Sequence, residues 1–315
     1  MKDFQTIEAA AAKWGISPRQ VRSYCTAGRI AGARFERGAW KIPADAKKPG
    51  RKSRRPFPKT ILGILEAEMD ARMPGGLYHA LQIDFTYNSN HMEGSRLTHE
   101  QTRWIFETKT VGTIGADVPV DDIVETANHF RAVDEVIRTA RAALTERYIK
   151  NLHAILNGGT TDSRKPWFAV GDYKRLENTV GDLETVPPTK VHDEMAKLLA
   201  WYGKTAHALE DMAAFHVRFE SIHPFQDGNG RVGRLILLKE CLKHGLTPML
   251  ILERTRRFYY MGLGEWQRDE TRKARLLDTF RAGQDYFAAL LRRYGHTAVA
   301  DAADKRWKVT TWAFN

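Results

Sequence analysis

The chain has 315 residues, 43% hydrophobic and 28% charged, with 49 Lys and Arg against 38 Asp and Glu, for a formal net charge of +11. This composition excludes a wholly disordered chain, and the length fits about two domains with a sizeable core. No apolar run reaches the roughly 18 residues of a membrane helix, and the start MKDFQTIEAA does not read as a signal peptide. The two cysteines, Cys25 and Cys241, form neither a disulfide framework nor a zinc spacing, so a soluble cytoplasmic protein without a membrane partner is expected. The charge is unevenly placed. Residues 1–60 hold 15 basic and four acidic side chains, whereas the other 255 residues balance at 34 of each.

Thr6 is a cap for a helix through Trp14, with Ile7, Ala10, Ala11 and Trp14 on one face, and Gly15 stops it. Ser17-Pro18 starts a second helix to about Ala27, with Val21 and Tyr24 or Cys25 facing inward and Arg19, Gln20, Arg22 and Ser23 outward. Two β-like runs around Arg37-Gly38, from Ile30 to Ile42, make a basic hairpin with Trp40 beneath it. Helix, turn, basic helix and basic hairpin are the parts of a winged helix-turn-helix, expected over residues 1–46. GISPRQVRSYCTAGRI and Trp40-Lys41-Ile42-Pro43 resemble the excisionase/MerR-like group, which implies DNA as a partner. Arg19, Gln20 and Arg22 are then candidates for base edges, and Arg34, Arg37 and Lys41 for phosphates. Proteins of this build often dimerise on paired half-sites, so a homodimer is a further expectation. Residues 47–58, KKPGRKSRRPFP, read as an extended basic linker.

From Thr60 the pattern is mainly of helical period, and a mainly α domain is expected over 59–300 with a tail at 301–315. Thr98 and Gln101 fit a capping box, Asp121 or Asp122 opens a helix through about Ala143, and a helix runs from Glu194 to about Trp201. Met212 to Ile222 carries an apolar stripe, and Leu235–Leu238 is apolar all round, so its helix is central. Arg175 to Pro188 is turn-rich and reads as a β-hairpin.

The chemistry is concentrated in HPFQDGNGRVGR, His223 to Arg234, on a loop leading into the central helix. Gly228 and Gly230 let successive amides converge into an anion-binding nest at a helix N-terminus. Arg231 and Arg234 can both border that helix start and grip phosphate oxygens. Asp227 is a hard oxygen ligand suited to Mg²⁺, and His223 is the natural general base at neutral pH. Phe225 reads as a core anchor.

This segment matches every fixed position of HPFxDGNGRxxR and so resembles the Fic (filamentation induced by cAMP) family, more loosely over residues 60–295. The resemblance implies a helical core with a β-hairpin flap. It also implies a nucleotidyltransferase moving AMP from ATP to a Ser, Thr or Tyr hydroxyl of a target protein. His223 would be the base, Asp227 would hold Mg²⁺, and Gly228, Asn229, Gly230, Arg231 and Gly233, with Arg234 on the γ-phosphate, would bind the nucleotide. Val180, Gly181, Asp182 and Leu183 would form the flap, and Tyr259, Tyr260 and Gln267 would line the adenine pocket. Ser89 to Gly94, SNHMEG, matches the family's inhibitory pattern, expected on a helix near 86–94, in which Glu93 with Ser89 would engage Arg234. In some relatives that glutamate helps remove AMP from the target. The alternative is a DNA-binding regulator whose core only senses ATP.

Overall fold

The computed structural model describes residues 3–36, 38–49, 58–112, 117–180 and 183–303. The chain divides into two compact units, residues 1–57 and 58–315.

In the first unit, β1 (Phe4–Gln5) precedes α1 (Ile7–Trp14), α2 (Pro18–Thr26), β2 (Arg34–Glu36) and β3 (Ala39–Pro43). Thr6 Oγ1 accepts from Ala9 N at 3.2 Å and Ser17 Oγ from Gln20 N at 3.3 Å, so both helix starts are capped. Gly15, at φ 62°, closes α1 in the left-handed region. The strands form one antiparallel sheet in the order β1-β3-β2, with Arg34 opposite Lys41 and Phe35 opposite Trp40. Ile7, Ala10, Ala11, Trp14, Val21, Tyr24, Cys25, Ile30 and Ile42 make the core, while Arg19, Gln20, Arg22 and Ser23 are exposed. Part of the basic surplus is structural: Lys13 Nζ donates to Ala44 O at 2.7 Å and Lys48 Nζ to Trp14 O at 2.9 Å. The two-residue β1 lies below the length at which alternation is visible in sequence.

The second unit is helical. Its elements are α3 (Ile61–Ala71), α4 (Leu77–Met92), α5 (His99–Thr108), α6 (Val120–Thr139) and α7 (Glu146–Asn157), then the hairpin β4 (Thr179–Val180) and β5 (Leu183–Glu184). There follow α8 (Pro188–Tyr202), α9 (Leu209–Ile222), α10 (Asn229–His244), α11 (Arg256–Arg268) and α12 (Ala274–Arg293). The α10 helix packs against α3, α4, α6, α7 and α9, and 13 of its residues are buried, which is why it shows no polar face. Two of its buried charges pair with each other: Lys239 Nζ lies 2.7 Å from Glu240 Oε1 and also donates to Ala142 O at 2.8 Å and Ala140 O at 3.3 Å, just past the end of α6. This gives a cation to a helix C-terminus.

Three expected boundaries shift. The α6 helix ends at Thr139, where Lys239 takes the following carbonyls, rather than near Ala143. Asp121 and Asp122 occupy its first turn, after Pro119, and accept from Thr161 N and Arg96 N. The α8 helix begins at Pro188 rather than Glu194, because proline at the first helical position is already set for helix. The segment expected near 86–94 is the end of the longer α4, with Glu93 at its C-cap and Gly94 at φ 99°. The Thr98–Gln101 capping box is formed.

Candidate active site

The α9 helix stops at His223, which adopts the left-handed φ of 51°, and α10 starts after Gly228 at φ 78°. Between them Phe225 is fully buried. Its N–H donates to Asn229 Oδ1 at 2.8 Å, and its carbonyl accepts from Asn229 Nδ2 at 2.8 Å and Asn178 Nδ2 at 3.0 Å. The Asn229 side chain is thus a clamp on the loop, and only its backbone N–H remains for an anion. The first-turn amides of α10 have no intrahelical acceptor, so the loop ends on an electropositive helix start.

Further residues outside this segment hold it. His153 stacks on Phe225 with ring centroids 4.0 Å apart; its Nε2 lies 3.2 Å from Asp227 O and its Nδ1 accepts from Gly171 N at 2.9 Å. Lys174 N donates to Pro224 O at 2.9 Å, and its buried ammonium donates to Asn178 Oδ1 and Thr185 Oγ1 at 2.7 and 2.6 Å. Burial lowers the Lys174 ammonium to about 8. These contacts fasten the base of the β4–β5 hairpin to the loop. Gly181 and Asp182 at its tip lie outside the described residues, as does Arg37 in the first unit.

Burial, with Lys174 nearby, lowers the His223 imidazole to about 4, so it is neutral at physiological pH. Arg231 donates to Glu125 Oε2 at 2.6 Å and to Asp227 Oδ2 at 2.9 Å. Asp227 is half exposed, with the Arg231 guanidinium on one carboxylate oxygen.

Arg234, nearly fully buried, donates from Nε to Ser89 Oγ at 2.9 Å and from Nη2 to Ser89 O at 2.9 Å and Glu93 Oε1 at 2.6 Å. Its Nη1 is buried and has no hydrogen-bond partner among the described residues. Burial raises the Glu93 carboxyl, but the Arg234 guanidinium outweighs this and holds it below the usual carboxylate range. A Cβ on Gly230 would fall 2.4 Å from Glu93 Oε1, so the glycine leaves the space in which this carboxylate lies. Gly233 faces Glu220 and His216, which a Cβ would meet at 2.5 and 2.8 Å.

The aromatic candidates separate. Tyr259 is buried, and its hydroxyl lies 2.6 Å from His216 Nε2. Tyr260 is 41% exposed and donates to Met92 O, next to Glu93. Gln267 opens onto a cavity of about 260 Å³ that Glu210, Arg218 and Trp266 also line. Glu125, His153, Lys174 and Glu220 carry no local motif and were not found from sequence.

Residues 143–241 match the model of the Fic/DOC family. The match to the Fic/DOC family is therefore to this segment, which carries the α9–α10 loop. The chain is 27% identical over 190 residues to "Protein adenylyltransferase Fic" of Nematostella vectensis, covering 57% of this chain and 42% of that one. It is 26% identical over 191 residues to "Protein adenylyltransferase fic-1" of Caenorhabditis elegans, covering 57% and 35%. The chain thus spans less than half the length of these curated relatives. A Fic domain-containing signaling protein of Bacteroides thetaiotaomicron superposes with a TM-score of 0.56 at 23% identity, covering 78% of this chain and 97% of that one. A Fic family protein of Desulfovibrio desulfuricans gives 0.57 at 22% identity, covering 74% and 72%. These two share the fold.

Proposed function

We propose that the Fic domain transfers AMP from ATP to a hydroxyl of a target protein and that Glu93 restrains it. The observation that carries this reading is the neutral His223 beside an electropositive helix start, with the Arg234 guanidinium in the same wall. The printed names of the curated relatives support the same reaction class. The hydroxyl gives its proton to His223 as its oxygen bonds to the α-phosphorus, and the bond to the β-phosphate oxygen breaks to release pyrophosphate. The α10 amides, Arg231 and Arg234 face the phosphate charge.

The donor set at Asp227 fits Mg²⁺, since a half-exposed carboxylate beside the phosphate wall is a hard oxygen ligand with room for water. Asp227 would hold the ion together with phosphate oxygens, where it neutralises charge on the polyphosphate. Glu93 occupies the guanidinium that the γ-phosphate needs and puts a negative charge where phosphate would enter. Labelling with ATP marked at the α- or γ-phosphate tests both statements. Strong α-label transfer by Glu93→Gly, weak transfer by wild type and none by His223→Ala is the expected pattern. Transfer of γ-label would make the domain a kinase, and ATP binding without transfer in any variant would make it a sensor.

We infer further that the N-terminal unit binds DNA as a winged helix-turn-helix. The exposed face of α2, with Arg19, Gln20 and Arg22, and the basic β2–β3 hairpin, with Arg34 and Lys41, support this. Affinity should fall steeply with salt, as counterion release requires. Binding to DNA no tighter than to heparin, with no sequence preference, would remove specific recognition.

A further inference from the structure

At the far end of α10, about 15 Å along the axis from Arg231 at 1.5 Å per residue, three metal-binding side chains converge. Glu240 and His244 are one turn apart on α10, and His207 comes from the connection between α8 and α9. One ligand atom from each lies within 4.8 Å of the others. The His207 and His244 rings are 4.3 Å apart by their centroids. Both imidazoles are half-buried, whereas Glu240 is only 2% exposed and forms the floor.

The surroundings orient these groups as outer partners orient metal ligands. Lys239 holds Glu240 Oε1 at 2.7 Å, and the Tyr202 hydroxyl donates to Oε2 at 3.1 Å. His207 Nδ1 lies 3.3 Å from Thr205 Oγ1, which directs Nε2 to a ligand. His244 Nε2 is buried and 3.3 Å from Glu240 Oε2, yet without hydrogen-bond geometry to any described residue. None of these side chains belongs to the phosphate wall around Arg234.

We propose that His207, Glu240 and His244 bind a divalent transition ion of the zinc class. Two imidazoles and one carboxylate select zinc over Mg²⁺, which takes oxygen ligands. Donor atoms of tetrahedral zinc stand about 3.3 Å apart for bonds of about 2.0–2.1 Å, so the half-buried rings turn inward to close the site. The fourth position is left to water. An ion here clips the segment that leads into α9, which ends at His223, to α10, which begins with the phosphate-binding turn.

The test uses the full chain, stripped with a chelator and titrated with Zn²⁺ alone by calorimetry, in excess Mg²⁺. Replacement by Co²⁺ is followed by visible absorption. One Zn²⁺ per chain, a rise in Tm on binding, and affinity weakened more than about tenfold in His207→Asn and His244→Gln are expected. Asparagine tolerates the left-handed φ of 56° at position 207, so this half-exposed variant folds even if His244→Gln does not. No saturable binding by the wild type overturns the site. Equal affinity in His207→Asn overturns it as well, by placing the ion on other histidines.

Discussion

His153 lies face to face with Phe225, ring planes within 5° of parallel, while its two nitrogens meet the Gly171 amide and the Asp227 carbonyl. One buried side chain thus sets the height and direction of the loop that carries both His223 and Asp227. Removing it opens a cavity under Phe225 and frees the backbone at Asp227. His153→Ala is expected to lower unfolding free energy by about 2–4 kcal/mol. In Glu93→Gly protein the same change should cut kcat by about 10²-fold through misplacement, with a smaller effect on KM. Chemical denaturation and AMP-transfer kinetics check this; a folded variant with unchanged kcat would leave His153 as core packing only.

The Glu93–Arg234 pair makes two opposite effects inseparable. Arg234 is 2% exposed and Glu93 31%, so neutralising the acid leaves a buried guanidinium with less compensation. Glu93→Gln should therefore melt at a lower temperature than wild type without nucleotide. It should also bind ATP with Mg²⁺ about 10- to 100-fold more tightly, the worth of one charge-assisted hydrogen bond regained. Calorimetric ATP titration beside thermal unfolding tests both. Equal ATP affinity in the two proteins would mean that the carboxylate does not compete with the γ-phosphate.

Why some of this was legible in sequence follows from range. His223, Asp227, Gly228 and Arg234 lie within twelve residues, on the turn between α9 and α10 and the start of α10, so a candidate site could be read from one local segment and its resemblance. Capping residues Thr6, Ser17 and Thr98 are local in the same sense. By contrast Glu125 reaches Arg231 across 106 residues, and His153 reaches Asp227 across 74. Only helix packing makes those contacts, and no local pattern encodes them. The surroundings of Gln267 are equally a matter of helix packing. It shares the face of Tyr260 on α11 but lies seven residues on, about 10 Å along the axis, where it lines a cavity with Glu210, Arg218 and Trp266.

Acid should weaken the fold through buried imidazoles. Burial lowers His153 and His216 to about 3 and His223 to about 4, from an ordinary 6.5. Between those values the unfolded chain binds protons that the folded chain refuses. Their contribution is complete above pH 6.5 and is lost as pH falls through that window toward 3. Each imidazole contributes a slope of up to about 1.4 kcal/mol per pH unit. Urea unfolding from pH 7.5 to 4.5 should show the slope, and His216→Gln should reduce it; equal slopes would refute the account. Activity of Glu93→Gly should likewise persist well below pH 6.5, since the base form of His223 survives there.

Glu220 works in the opposite direction. Burial raises its carboxyl to about 8, Arg234 opposes this and Glu93 adds to it. Its Oε1 has no hydrogen-bond partner among the described residues and lies 3.9 Å from His216 Nε2. A folded-state value above the unfolded one means that the folded protein keeps a proton that the unfolded chain releases. That contribution is complete below about pH 4.5 and is lost as pH rises through about 8. Wild type should lose Tm between pH 6 and 9, while Glu220→Gln, which cannot ionise, should hold its Tm and exceed wild type at pH 9 by about 2–4 kcal/mol. Glu93 raises the Glu220 carboxyl by repulsion, so adding Glu93→Gln to the wild-type background should move the alkaline loss to lower pH, and an unmoved loss would mean that the two carboxyls are uncoupled. Parallel melting curves for wild type and Glu220→Gln would show that the carboxyl is ionised at neutral pH, and Arg234 would then have two counter-charges in this wall instead of one.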